Sequence, residues 1–167
     1  AHAGNWRDIF QNWEALAYSY PACFAPMVDT FLNASTADGY NPYRITREGV
    51  DWEVLDPADP WSHIGYWGDH QIVYLLRLLE GERRFHPGRL SGLLHLKRHC
   101  HVDVPYEILG FDDLVRDPKH SIRFDAERHR VLVARAAEIG GDGRLLTDAS
   151  GAIVRVNLAE KLLIPLL

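Results

Sequence analysis

The chain has 167 residues, with 18 Lys and Arg against 23 Asp and Glu and a formal net charge of −5, which is the length of about one domain. At 47% hydrophobic and 25% charged the composition is that of a globular domain and excludes a disordered chain, while the acidic balance argues against a nucleic-acid binder, which needs a basic face. Apolar runs such as 72–76 fall far short of the ~20 residues of a membrane span, and the two cysteines, Cys23 and Cys100, cannot build a disulfide framework, so a reducing, cytoplasmic compartment is expected.

Residues 6–20 predict a helix, because Trp6, Ile9, Phe10, Trp13, Leu16, Ala17 and Tyr20 share one broad arc; Pro21 stops it. A second helix is expected over 22–32, with Phe24, Met27, Val28 and Phe31 inward and Pro26 tolerated in its first turn. Breakers fill 33–39. Residues 40–55 read as irregular or strand-like, with a turn at 46–49. Asp56-Pro57-Ala58-Asp59-Pro60 is a loop, since each Pro restricts the residue before it. A third helix over 66–79 is expected to pack through Ile72, Leu75, Leu76 and Leu79. A short helix follows Pro87, 102–110 is extended or irregular, and 112–116 makes one helical turn. Residues 124–139 predict a helix ended by Gly140-Gly141. Residues 145–147 and 152–156 read as a hairpin, and Asn157 as the cap of a last helix.

The result is a mainly α chain with long loops and one small β-hairpin. Helices joined by long connections suit a helical-hairpin segment of an (α/α)6 toroid better than a compact bundle. All five Trp lie before position 68, and only Phe85, Tyr106, Phe111 and Phe124 follow Tyr74 among the aromatics. A dense N-terminal core explains this bias, and so does a ring-stacking surface for sugars. The chain has no initiator Met and runs out in the apolar stretch 162–167. It therefore reads as one segment, 1–167, of a larger helical domain incomplete at both ends, whose uncovered apolar faces favour self-association.

Two polar blocks stand out. On the first helix Arg7, Asp8, Gln11 and Asn12 fall on one side, opposite the aromatics. A forked cation, a carboxylate and two amides suit sugar hydroxyls, each of which donates and accepts; a solvated helix face is the other explanation. The second block is Gly65-Tyr66-Trp67-Gly68-Asp69-His70-Gln71. It sets Tyr66, Trp67, Asp69 and His70 at a loop-to-helix junction of the sort that carries sites, although Asp69 also complements a helix dipole. A third cluster, His95, His99, Cys100 and His101, has an i, i+4 pair but lacks a paired Cys-x-x-Cys, a fourth ligand and a general base. These histidines read as surface or loop residues, and neither a metal nor another cofactor is expected. No phosphate loop or nucleophile elbow is present.

Arg7-Asp8-Ile9-Phe10-Gln11-Asn12 resembles the Arg-Asp-x-x-Gln-Asp/Asn helix start of the cellobiose phosphorylase group of (α/α)6-toroid glycoside-active enzymes. Residues 5–16, 33–44, 64–71 and 156–161 are similar to large bacterial proteins related to that group. The resemblance implies that Arg7 and Asp8 help hold a sugar at the cleavage site. The general acid of the group lies in a Trp-Asn-Asp stretch, which this sequence lacks, and Asn12 stands where the phosphorylases usually carry an acid. The implied role is the sugar-binding part of a glycoside phosphorylase or hydrolase-like protein, inactive as this segment alone. Its partner is an oligosaccharide or sugar, with phosphate where cleavage is phosphorolytic. The alternative is a non-catalytic helical scaffold or carbohydrate-binding module. The expected substrate-binding set is Arg7, Asp8, Gln11, Asn12, Tyr66, Trp67, Asp69 and His70.

Overall fold

A computed structural model describes residues 4–39, 44–46, 49–52, 54–59 and 69–163, with side chains apart from those at 4–8, 44 and 69–72. In chain order the elements are β1 (Gly4–Asn5), α1 (Trp6–Ser19), α2 (Phe24–Asn33), β2 (Arg44–Thr46), β3 (Gly49–Asp51), α3 (Asp69–Phe85), α4 (Arg89–Leu93), β4 (His99–Cys100), β5 (Tyr106–Ile108), α5 (Phe111–Arg116), β6 (Ile122–Phe124), α6 (Ala126–Ile139), β7 (Arg155–Val156) and α7 (Leu158–Leu163). The mainly helical expectation holds. Among the described residues no helix is long and apolar enough to cross a membrane.

The first three helices pack through their aromatic arcs. Phe10 stacks on Tyr74 with ring centroids 4.4 Å apart. Glu14 meets Arg77 at 3.2 Å, and Tyr18 meets the edge of Phe85 at 5.9 Å. Residue numbers rise together along this seam, so α1 and α3 run parallel. Trp13 meets Phe31 at 6.0 Å and Tyr18 meets Phe24 at 5.5 Å, so α2 runs back between them. At the far end Phe24 also stacks on Phe85, with centroids 5.5 Å apart. The buried Glu82 accepts from or pairs with His86 Nδ1 at 2.9 Å and lies 3.3 Å from Arg89 Nε, which ties the end of α3 to α4.

The third helix differs from its expected form. It runs on to Phe85, past Gly81. Its packed stripe contains the fully buried Leu78, while Leu76 is 52% exposed. Gly81 does not end the helix because it lies against the ring of Phe24; the contact outweighs the helix-interior penalty of glycine, about 1 kcal/mol.

The expectation of a single small β-hairpin is too simple. The described residues hold three small antiparallel sheets, β1–β2–β3, β4–β7 and β5–β6. The expected hairpin is there, with Thr147 bridged to Ile153 and a turn in which Asp148 accepts from Ser150 N and Ala152 N at 2.8 and 3.1 Å. Its outer parts pair elsewhere, Leu145 with Val102 and β7 with β4. Short polar-flanked strands carried no long alternation to betray these pairings in the sequence.

The second half of the chain closes over the helices through Val102, Val104, Tyr106, Ile122, Leu132 and Leu158. Asp125 caps α6, accepting from Glu127 N and Arg128 N at 2.9 Å each. Arg144 joins the halves: it donates to Val50 O and lies 5.0 Å over the Trp52 ring.

Candidate functional site

The described parts of the two polar blocks, 7–12 and 69–71, come to one end of the bundle as backbone. Because α1 and α3 run parallel, their N-terminal turns lie side by side, and packed helix axes are about 8–10 Å apart. Phe10 and Glu14 of α1 face α3. Position 7 continues their row one turn earlier, by i−3 and i−7 spacing, so it shares the row of Phe10 instead of lying opposite the aromatics as expected. On α3 Tyr74 and Arg77 face α1, and position 70 continues that row. Positions 8, 12 and 69 lie round the helices from these rows. Gln11 and Asn12 are exposed on α1. The side chains of Arg7, Asp8, Asp69 and His70 lie outside the described residues, and so do Tyr66 and Trp67 entirely. Strand β1 feeds directly into α1 and pairs with β2 through Gly4↔Ile45 and Asn5↔Arg44, so the start of α1 is strapped to the β1–β2–β3 sheet.

The histidine cluster is built differently from its expected form. His99 is in a strand, not a helix, so the i, i+4 helical pair with His95 does not exist. His95 is exposed, but His99 and His101 are 1% and 6% exposed and are not surface residues. Val102 and Cys100 flank them in the core, and alternation of these short residues with histidine gave no sign that both faces of the strand are covered. Among the described residues no group of three or more His, Cys, Asp or Glu has the arrangement to hold a metal ion.

The polar centre that sequence reasoning missed is Lys161. It is 3% exposed, and its Nζ lies 2.8 Å from His101 Nδ1, 2.9 Å from Ser35 Oγ and 3.2 Å from Ser35 O. Burial lowers its pKa to about 7, since a charged amine is disfavoured away from water. Burial, then the charge of Lys161, lowers His101 to about 4. Burial also lowers His99 and raises the Cys100 thiol. A reciprocal cap aims α7: Asn157 Oδ1 accepts from Glu160 N at 2.8 Å, and Glu160 Oε2 accepts from Asn157 N at 2.7 Å. The i, i+3 spacing of Leu158 and Lys161 was the available signal, because it puts the lysine on the buried side of a short helix.

Two cavities flank this end. One, about 370 Å³, lies between α2, β3 and β4 and is lined by Thr30, Asn33, Val50, Cys100 and Asp142 among others. Another, about 340 Å³, is lined by Thr36, Asp38, Asp103, Tyr106, Glu107 and Arg128 among others. In it Arg128 donates through Nε and Nη2 to Asp103 Oδ1 at 2.9 and 2.5 Å.

Comparison with models of known protein families gives no match, and comparison with curated proteins gives no significant match.

Proposed function

We propose that this chain is the sugar-binding part of a carbohydrate-active protein, of the glycoside phosphorylase or hydrolase kind, built on an (α/α)6 toroid. The reading rests on one observation above all: α1 and α3 run parallel with α2 running back between them. That is the arrangement of one and a half helical hairpins, the repeat of which a toroid is made. In this reading the open end of the α1–α3 seam receives the sugar. Arg7 and His70 stand on either side of the seam, Gln11, Asn12, Asp8 and Asp69 supply further donors and acceptors, and Tyr66 and Trp67 offer stacking faces. The guanidinium of Arg7 gives bidentate contacts to vicinal hydroxyls or to phosphate. The proton donor for glycosidic cleavage comes from outside these residues, because hydrolysis and phosphorolysis both need an acid at the leaving oxygen and the blocks assign Asp8 and Asp69 to hydroxyl contacts.

A glycan-array screen with phosphate present and absent tests the proposal. Retention of a defined class of oligosaccharides, abolished by Arg7→Ala, is the expected result. A protein that retains no glycan under either condition returns the chain to the scaffold alternative.

A further inference from the structure

Helix α7 has six residues, of which Leu158 and Lys161 are buried. Its hold on the rest of the chain includes the burial of Leu158, a hydrogen bond from Ala159 N to Leu94 O at 3.4 Å and the amine of Lys161. Lys161 Nζ has three neighbours, Ser35 O, Ser35 Oγ and His101 Nδ1, and three acceptors are what an ammonium satisfies. None of them is a carboxylate. For His101 Nδ1 to accept, the ring must be neutral with its proton on Nε2. Protonating the ring turns Nδ1 into a donor facing another donor at 2.8 Å. The amine and the ring therefore hold at most one titratable proton between them while the contact lasts.

We infer that the Lys161–His101–Ser35 junction is an acid-sensitive latch, which holds α7 against the end of α2 while His101 is neutral and releases it when that ring is protonated.

Glu160 favours a protonated ring, but burial and the charge of Lys161 oppose it more strongly. From α2 comes Asp29, which is engaged by Arg98 and lies 3.6 Å from His99 Nδ1. From β4 and its flank come Arg98, Cys100 and His99, whose two ring nitrogens are buried without a hydrogen-bond partner. From β7 comes Arg155, which donates to Arg98 O at 3.2 Å. The turn after α6 contributes Asp142, which acts on Cys100. On α7 itself Glu160 is committed to the cap. Each of these carboxylates also has a partner of its own or acts on another group, and two bases, His99 and His101, share the cluster with the amine. The cluster also lies where α2 ends, the end of the bundle at which α1 and α3 begin.

The sign follows from linkage. The ring is at about 4 with α7 closed, and opening that admits water returns it toward its ordinary 6.5. One proton is taken up on opening throughout that interval, so the opening constant rises about tenfold per pH unit between them. Hydrogen exchange of residues 158–163, corrected for intrinsic rates and measured from pH 7 to 4, reads this directly. The expected result is that α7 loses protection about tenfold per unit below pH 6.5 while α6 stays protected, and that His101→Gln, which keeps an acceptor and cannot titrate, removes the dependence. Lys161→Met serves as the second variant: it removes the charge but leaves the ring buried, so its α7 dependence should persist below pH 6.5 and level off at a higher pH than in the wild type. The inference is overturned if α7 and α6 lose protection together, if α7 remains protected at pH 4, or if either folded variant keeps the wild-type profile.

Discussion

The ring of Phe24 occupies the space where a side chain at Gly81 would stand: a Cβ built there meets Phe24 Cε1, Cζ and Cδ1 well inside van der Waals contact. The same ring is packed from its other sides by Tyr18 and Phe85, so it has nowhere to go. On an exposed helix, Gly→Ala stabilises by about 1 kcal/mol. Here overpacking, typically about 1–3 kcal/mol, has the larger magnitude. Gly81→Ala should lower the melting temperature, and Phe24→Leu combined with it should recover part of the loss, which a double-mutant cycle by thermal denaturation measures.

Periodic residues made the helices readable. The arcs of α1 and α2 were plain because their apolar positions recur at helical spacing on long segments, and the cap at Asn157 and the stop at Gly140 follow from local chemistry. What failed was decided by partners far along the chain. The third helix looks finished at 79 until Phe24 is placed against Gly81, and Leu76 looks like core until Leu78 is seen to take that position. Two-residue strands such as β4 and β7 exist only as a pair. His99, His101 and Lys161 carry no sequence pattern for burial, since charged and titratable residues are ordinarily exposed. For the two polar blocks, the order of residues showed which helices bear them, but the parallel seam that brings their first turns together needed the Phe10–Tyr74 and Glu14–Arg77 contacts.

Stability should rise with pH just above neutrality. The Lys161 pKa is about 7 in the folded chain against an ordinary 10.5. The unfolded chain therefore binds more protons through this interval, and stability increases with pH by at most about 1.4 kcal/mol per unit from this group. Cys100 acts in the opposite sense, because its thiol is raised above its ordinary 9.0 and ionises more readily once unfolded. The net rise should therefore be steepest between about pH 7 and 9. Chemical denaturation across that range should show the slope in the wild type and a flattened slope in Lys161→Met.

The uncovered apolar residues predict self-association. Phe111 is 78% exposed on α5, with Val115 beside it, and Val131, Val133 and Ile139 are exposed on α6. Faces of this kind are ordinarily covered in a larger assembly. Sedimentation velocity should show dimers or larger species that Phe111→Ser combined with Val131→Ser shifts toward monomer. A wild-type chain that sediments as a monomer at every concentration, with a cooperative melt, would count against its being part of a toroid.

The most direct test of sugar recognition at the α1–α3 seam is calorimetric titration of the best glycan-array hit into the wild type, Arg7→Ala and Asp69→Asn proteins. A hydrogen bond to a charged group is worth about 1.5–3 kcal/mol, so each variant should bind about tenfold or more weakly while melting near the wild-type temperature. Binding that both variants leave unchanged would contradict the account, because the sugar would then sit away from the first turns of α1 and α3.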